Sequence, residues 1–231
     1  MKRLEGKVIA VTRPRERAQE AVDIITREGG VVLLAPTLEL TMTQTESLMK
    51  LCQIAGDLNW LIFTSPSSLD SLFKYCEDFK EKLNPNCMVA VIGPRTQRAL
   101  QEKGLEADLL PEDYTAEGLL KAMAPYELEG KIIGIPRTFS ARDVLPEGLR
   151  KMGAQVMLAE AYQSTIPHDS EPVQELITSI LNKKVDAVTF TSPLTVHNLF
   201  DMAANRKNKL IDYLKTDKIK VVAIGPITGY A

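Results

Sequence analysis

Gly6-Lys7-Val8-Ile9-Ala10-Val11-Thr12-Arg13 returns later in the chain as Gly130-Lys131-Ile132-Ile133-Gly134-Ile135-Pro136-Arg137. Each stretch is a turn feeding a short, apolar, largely β-branched run that breaks into polar residues and then a helical pattern. That is how a buried parallel strand ends in an α/β sheet. Two further pairs lie downstream. Phe63-Thr64-Ser65-Pro66 returns as Phe190-Thr191-Ser192-Pro193, each leading into a helical pattern that closes on Ser71-Leu72-Phe73 or Asn198-Leu199-Phe200. Ala90-Val91-Ile92-Gly93-Pro94-Arg95-Thr96 returns as Val222-Ala223-Ile224-Gly225-Pro226-Ile227-Thr228. The offset of about 125 to 130 residues marks a duplicated, domain-sized unit rather than a solenoid repeat. Ligands bind at the carboxyl ends of strands in such sheets, and six strand ends, three per half, carry polar loops.

Between these strand ends the pattern is regular. A helix is predicted from about Arg15 to Glu28, with Ala18, Ala21, Val22 and Ile25 on one face and Gly29-Gly30 as its stop. A strand follows over Val31–Ala35. The second half repeats this with a strand over Ile132–Ile135, a helix to Lys151, Gly153 as the stop and a strand over Val156–Ala159. Two matched segments, Pro36 to Met42 and Glu160 to Pro167, are extended and alternating, and fit an antiparallel two-stranded connector. The predicted organisation is therefore discontinuous. One lobe takes residues 1–37 plus 168–231, the other takes 42–160, and residues 38–41 and 161–167 join them. The first copy continues past Thr96 through a helix (Gln97 to Lys103), a strand-like Ala107–Leu110 and a helix over Ala116–Met123. The second copy stops within three residues of Thr228, so the terminal lobe is expected to lack an edge strand and its flanking helices.

Composition narrows the function. The chain of 231 residues is 45% hydrophobic and 25% charged, with a net charge of -2, ordinary values for a globular protein. No basic stripe points to nucleic acid, and no apolar span points to a membrane. The location expected is cytoplasmic. Cys52, Cys76 and Cys87 lack metal-ligand spacing and are expected as reduced thiols. A dinucleotide fingerprint and a phosphate loop are both missing, which weakens the case for a nucleotide-dependent transferase. His168 and His197, the two histidines, have no ligand spacing. No metal site is expected.

Positive features gather at the strand ends. Ser65-Pro66 and Ser192-Pro193 are helix N-cap and N1 pairs, with Thr64 and Thr191 just before them. Gly93-Pro94 and Gly225-Pro226 open helices without a capping side chain, and Thr96 and Thr228 fall in their first turns. Free amides and partial positive charge at such N-termini hold carboxylate or phosphate oxygens. Thr12-Arg13 and Arg137 close equivalent strands, where a guanidinium can grip an acid bidentately. A single junction of this kind is ordinary βα chemistry. Recurrence of all three kinds in both halves points to an anionic ligand.

Thr12-Arg13, the two Phe-Thr-Ser-Pro turns, the Ile-Gly-Pro-x-Thr turns and Glu160-Ala161-Tyr162 together resemble uroporphyrinogen-III synthase over nearly the whole chain. The resemblance implies two flavodoxin-like parallel-sheet lobes with the active cleft between them. It implies cyclisation of hydroxymethylbilane, a linear polycarboxylate tetrapyrrole, to uroporphyrinogen III with inversion of ring D, without metal or organic cofactor, in a monomer. The family's candidate catalytic tyrosine corresponds to Tyr162. Substrate-binding positions then fall at Thr12, Arg13, Thr64, Ser65, Gly93, Thr96, Arg137, Thr191, Ser192, Gly225 and Thr228. The competing reading is a two-lobed binding or sensor protein that closes on an anionic small molecule without chemistry. Turnover of hydroxymethylbilane separates the two.

Overall fold

The structure is a computed structural model and describes residues 2–216 and 218–231. The chain opens with β1 (Val8–Val11), α1 (Gln19–Arg27), β2 (Val31–Leu34) and β3 (Glu39–Met42). It continues through α2 (Glu46–Gln53), β4 (Trp60–Phe63), α3 (Pro66–Tyr75), α4 (Phe79–Lys82) and β5 (Met88–Val91). Next come α5 (Pro94–Glu102), α6 (Ala116–Met123), β6 (Ile132–Thr138), α7 (Val144–Lys151) and β7 (Gln155–Thr165). The last elements are α8 (Glu171–Leu181), β8 (Ala187–Phe190), α9 (Pro193–Met202), α10 (Lys207–Leu214), β9 (Lys220–Ala223) and α11 (Pro226–Gly229).

These elements form two compact units. Residues 1–39 and 165–231 make the first, and residues 40–164 make the second. In the first, a four-stranded sheet runs β2-β1-β8-β9, with every neighbouring pair parallel. Ala10, Val188, Val173, Leu176 and Ile177 are fully buried in its core, as expected for strands covered on both faces. The edge strand β9 keeps Val221 and Val222 half exposed. In the second unit the sheet runs β3-β7-β6-β4-β5. Pairings among β7, β6, β4 and β5 are parallel, and one face packs Leu48, Leu61, Phe63, Leu69 and Phe79 in full burial. Beyond β5 the strand-like stretch at 107–110 contributes one parallel bridge, Ala90 to Leu109. Among the described residues, no helix is long and apolar enough to cross a membrane.

Both predicted helix stops are formed the same way. Gly29 (φ +87°) and Gly153 (φ +86°) take the left-handed conformation that favours glycine. The amides after them, of Gly30 and Ala154, reach back to the carbonyls of Ile25 and Leu149 at 2.9 and 3.1 Å.

The structure corrects several expectations. The first helix begins later than Arg15: a 3-10 turn covers Arg15–Arg17, and α1 proper starts at Gln19. The strand expected to end at Ala159 runs on as a single element to Thr165. A bulge makes that continuity possible. Arg137 stands opposite Glu160 and Thr138 opposite Tyr162, so Ala161 is the extra residue of β7. In a regular strand Ala161 and Tyr162 would face opposite sides. Here both join the same buried cluster, because a bulge turns the residue after it. The cysteines also differ from expectation. Cys52, on α2, and Cys76, just after α3, are joined in a disulfide with Cα atoms 6.1 Å apart, a separation that a disulfide spans readily. The local reason is the packing of α2 beside α3, which turns both side chains into one core. Cys87 alone stays a free thiol.

Candidate active site

The strands of the first unit, and β7, β6, β4 and β5 of the second, are parallel, so the loops after them emerge along one edge of the sheet, about 4.8 Å apart from strand to strand. In the first unit that edge carries Thr12 and Arg13 after β1, Thr191 and Ser192 after β8, and Gly225 after β9. In the second it carries Arg137 and Tyr162 on β6 and β7, Thr64 and Ser65 after β4, and Gly93 after β5.

The serines cap as their sequence context requires. Ser65 has extended φ and ψ, and its hydroxyl accepts the Ser68 amide at 3.2 Å with Pro66 opening α3. Ser192 does the same for α9 within a capping box, exchanging bonds of 3.3 Å with Thr195 in both directions. Such hydroxyls satisfy amides that a helix start leaves orphaned. Gly93 and Gly225 open α5 and α11 in extended backbone without a side-chain cap, which leaves first-turn amides for an outside acceptor. Thr96 and Thr228 are buried inside those first turns. Thr64 and Thr191 are half-buried.

Two of the expected ligand contacts are otherwise engaged. The Thr12 hydroxyl donates to the Thr189 carbonyl at 2.7 Å and ties β1 to β8. Arg137 is 8% exposed, and its guanidinium is turned into the protein. It donates to the carbonyls of Ala141 and Arg142 at 2.7 and 3.2 Å and to the Asp143 carboxylate at 2.8 Å. Arg137 therefore staples the loop between β6 and α7. Arg13, at the equivalent place after β1, is half-buried.

Tyr162 and Ser65 are brought into hydrogen-bond contact. The Ser65 hydroxyl accepts from the Ser68 amide and donates its own hydrogen to the Tyr162 phenol oxygen at 3.1 Å. A phenol has one hydrogen, so the Tyr162 hydrogen remains for another acceptor. Its oxygen also sits at the positive end of α3. In the same unit Thr138, Phe139, Ser140, Glu160, Gln163 and Ser164 line a cavity of about 310 Å³. In the first unit Arg15, Pro36, Leu38, Glu39 and His168 are among the residues lining one of about 240 Å³. Among the described residues, no group of three or more His, Cys, Asp or Glu side chains is placed to hold a metal ion.

Sequence reasoning passed over the buried polar residues that brace this region. Ser71, on α3, donates to the Ala161 carbonyl, and Asn198, on α9, donates to the Thr37 carbonyl at 2.7 Å. The available signal was a polar residue in each otherwise apolar Ser/Asn-Leu-Phe motif.

Sheets built mainly of parallel strands, with helix N-termini and polar loops at their carboxyl ends, define an α/β protein. The family model described as Uroporphyrinogen-III synthase HemD matches residues 19–231, and the chain belongs to the uroporphyrinogen-III synthase family. A Methanothermobacter thermautotrophicus protein named "Putative uroporphyrinogen-III synthase" is 55% identical over 220 residues, covering 95% of this chain and 86% of the relative. The uroporphyrinogen-III synthase of Synechococcus elongatus is 26% identical over 98% of this chain and 85% of its own. Among solved structures, a mutant uroporphyrinogen III synthase from Thermus thermophilus superposes with a TM-score of 0.63 at 20% identity, covering 96% of this chain and 86% of that one. The Helicobacter pylori synthetase gives 0.57 at 17% identity, covering 97% and 86%. At these identities the structural likeness speaks for the fold.

Proposed function

We propose that the chain converts hydroxymethylbilane to uroporphyrinogen III, with inversion of ring D through a spiro intermediate. The observation that carries the mechanism is the phenol of Tyr162 held at the N-terminus of α3 by Ser65. In this reading Tyr162 gives its hydrogen to the substrate's departing hydroxyl. The carbon–oxygen bond breaks with its electron pair on oxygen, and water and an azafulvene cation result. The carbon of ring D that already bears the chain attacks the cation and forms the spiro ring. The old bond from that carbon to the ring C methylene then breaks, leaving a second azafulvene cation on ring C, and the free α-carbon on the other side of the ring D nitrogen bonds that methylene, which inverts the ring. The ring proton lost at the end restores the phenol, so one water is released overall.

The free bilane cyclises without inversion on its own. The protein's part is therefore mainly to choose the attacking carbon by holding the chain in place. Acetates and propionates on every ring supply the handles. Strand-end amides near Gly93 and Gly225, and the capped starts of α3 and α9, supply the donors. Arg13 adds a cation near one such edge.

The organisation proposed with this function is an internal duplication, two flavodoxin-like lobes joined by the β3 and β7 segments. Its support is the shared order of the two sheets. β2-β1-β8-β9 corresponds strand for strand to β7-β6-β4-β5, and the sequence repeats fall on the corresponding strands. The protein is proposed to act as a monomer in the cytoplasm.

Isomer-resolved chromatography of the porphyrins formed from hydroxymethylbilane tests the function. Uroporphyrinogen III is the product expected. If only the uninverted isomer forms, at the uncatalysed rate, the protein is a binder of anionic tetrapyrroles or of something else.

A further inference from the structure

Ser71 lies six residues after the N-cap Ser65, on the buried face of α3, and is fully buried. Its hydroxyl donates to the carbonyl of Ala161, the extra residue of the β7 bulge. Asn198 lies six residues after the N-cap Ser192 on α9 and is buried too. Its amide donates to the carbonyl of Thr37 at 2.7 Å. Thr37 and Ala161 occupy corresponding places in the repeat, each two residues after the buried alanine that follows or lies within the second strand, Ala35 and Ala159. Both copies therefore hold the same backbone carbonyl with a buried donor from the same helical position. The residue after that carbonyl differs. It is Leu38 in the first unit and Tyr162 in the second.

We propose that Ser71 is a positioning residue for Tyr162, fixing the bulged Ala161 carbonyl so that the next side chain delivers its phenol to Ser65. The inference rests on the reading of Tyr162 as the proton donor. A bulge is a soft point in a strand because the extra residue lacks a ladder partner. Ala161 is held instead from two sides. Its carbonyl accepts from the Ser71 hydroxyl and from the Thr43 amide at 3.1 Å. One residue on, Tyr162 is pinned at its far end by Ser65 from the same helix. α3 thus grips the Ala161-Tyr162 pair at two points, six residues apart. Without the Ser71 hydroxyl a buried carbonyl loses one of its two donors, and the bulge is free to settle elsewhere. A phenol displaced by about an ångström from its working position can lose on the order of a hundredfold in rate.

Loss of a buried serine that only stabilised the fold would lower stability whatever stood at position 162, as loss of Asn198 would beside Leu38. The two roles separate in a double-mutant cycle on the intact chain, assayed with hydroxymethylbilane and chromatographic resolution of the isomers. Ser71→Ala is expected to lower kcat about tenfold to a hundredfold with KM changed less than about twofold. In the Tyr162→Phe background the same change is expected to cost less than about twofold, because the group being positioned is gone. Ser71→Thr, which keeps the donor, is expected to recover most of the rate, and Ser71→Cys, close in size but only a weak donor, carries the cycle if Ser71→Ala does not fold. The proposal is overturned if Ser71→Ala costs the same factor in both backgrounds, or if its effect lies wholly in KM. Failure of the unchanged protein to form uroporphyrinogen III overturns the functional reading first, and is seen before any variant is made.

Discussion

The Ser65 hydroxyl lies 3.1 Å from the phenol oxygen of Tyr162, and the two residues are 97 positions apart. One oxygen is the cap of a helix and the other belongs to a strand that has just passed its bulge. Each explains a property of the other. The cap takes its hydrogen bond from an amide and so has a hydrogen to donate. The phenol receives that hydrogen and keeps its own for transfer.

Tyr162→Phe removes that transferable hydrogen and little else. Turnover of hydroxymethylbilane to the inverted isomer is expected to fall roughly tenfold to a thousandfold, the range of a single acid catalyst. KM should change little, since the ring stays packed in the same cluster. A kcat within twofold of the unchanged protein would assign the proton to another group.

The cap of α9 should separate stability from chemistry. Ser192→Ala deletes the capping box with Thr195 and is expected to lower unfolding free energy by about 1 kcal/mol in denaturant titration. Turnover should fall by a smaller factor than in Tyr162→Phe, because the α9 amides remain. Single changes at Thr64, Ser65 or Thr191 should likewise cost less than Tyr162→Phe. Any of the four that abolishes inversion while leaving the fold intact contradicts the view that amides, more than these hydroxyls, hold the substrate.

Acid should loosen the first unit at the start of its sheet. The Lys7 ammonium at 2.8 Å and the Val8 amide at 2.9 Å hold the Asp186 carboxyl below its ordinary value of 3.8. With a folded pKa below the unfolded one, the native state favours the ionised form. That contribution is fully present above the unfolded value and is lost as pH falls through the folded one. The side chain is well exposed, so the contribution is about 1 kcal/mol or less. Asp186→Asn should therefore flatten the stability profile below about pH 4, measured by thermal melts from pH 7 to 3. An unchanged acid slope would refute the linkage.

The cysteines should divide two to one. Intact-mass analysis without reductant is expected to find Cys52 and Cys76 cross-linked, and breaking the bridge should cost about 3 kcal/mol by the loop-entropy relation. Burial and the nearby Asp108 charge push the Cys87 thiol up to about 12. Iodoacetamide at pH 8 should therefore modify it far more slowly in the native protein than in urea. Rapid native labelling of all three would contradict both statements.

Much of the fold was legible because its signals are local. Short β-branched runs, Ser-Pro helix starts and the Gly29 and Gly153 stops each act within a few residues, and repetition reinforced them. What escaped depends on distant partners. β7 reads as two pieces because Ala161 breaks the alternation, and only pairing with β6 shows one strand with a bulge. The partners of Arg137 in the next loop escaped too, since nothing in its own strand reveals that this loop folds back onto it. The Cys52–Cys76 bridge is set by helix packing, which spacing does not encode. The candidate tyrosine came from the family resemblance, and its contact with Ser65 came from the fold.

The first unit begins the chain and ends it, with the second unit continuous between. Ile9 pairs with Ala187 across the parallel ladder of β1 and β8, so β1 leaves the ribosome long before β8 exists. Residues 40–164 can collapse as a block during that wait. Once collapsed, they replace a long flexible loop with a compact body, which reduces the entropy lost when β8 arrives beside β1. Synthesis thus imposes an order in which residues 40–164 mature before the segment carrying β8 joins the one carrying β1.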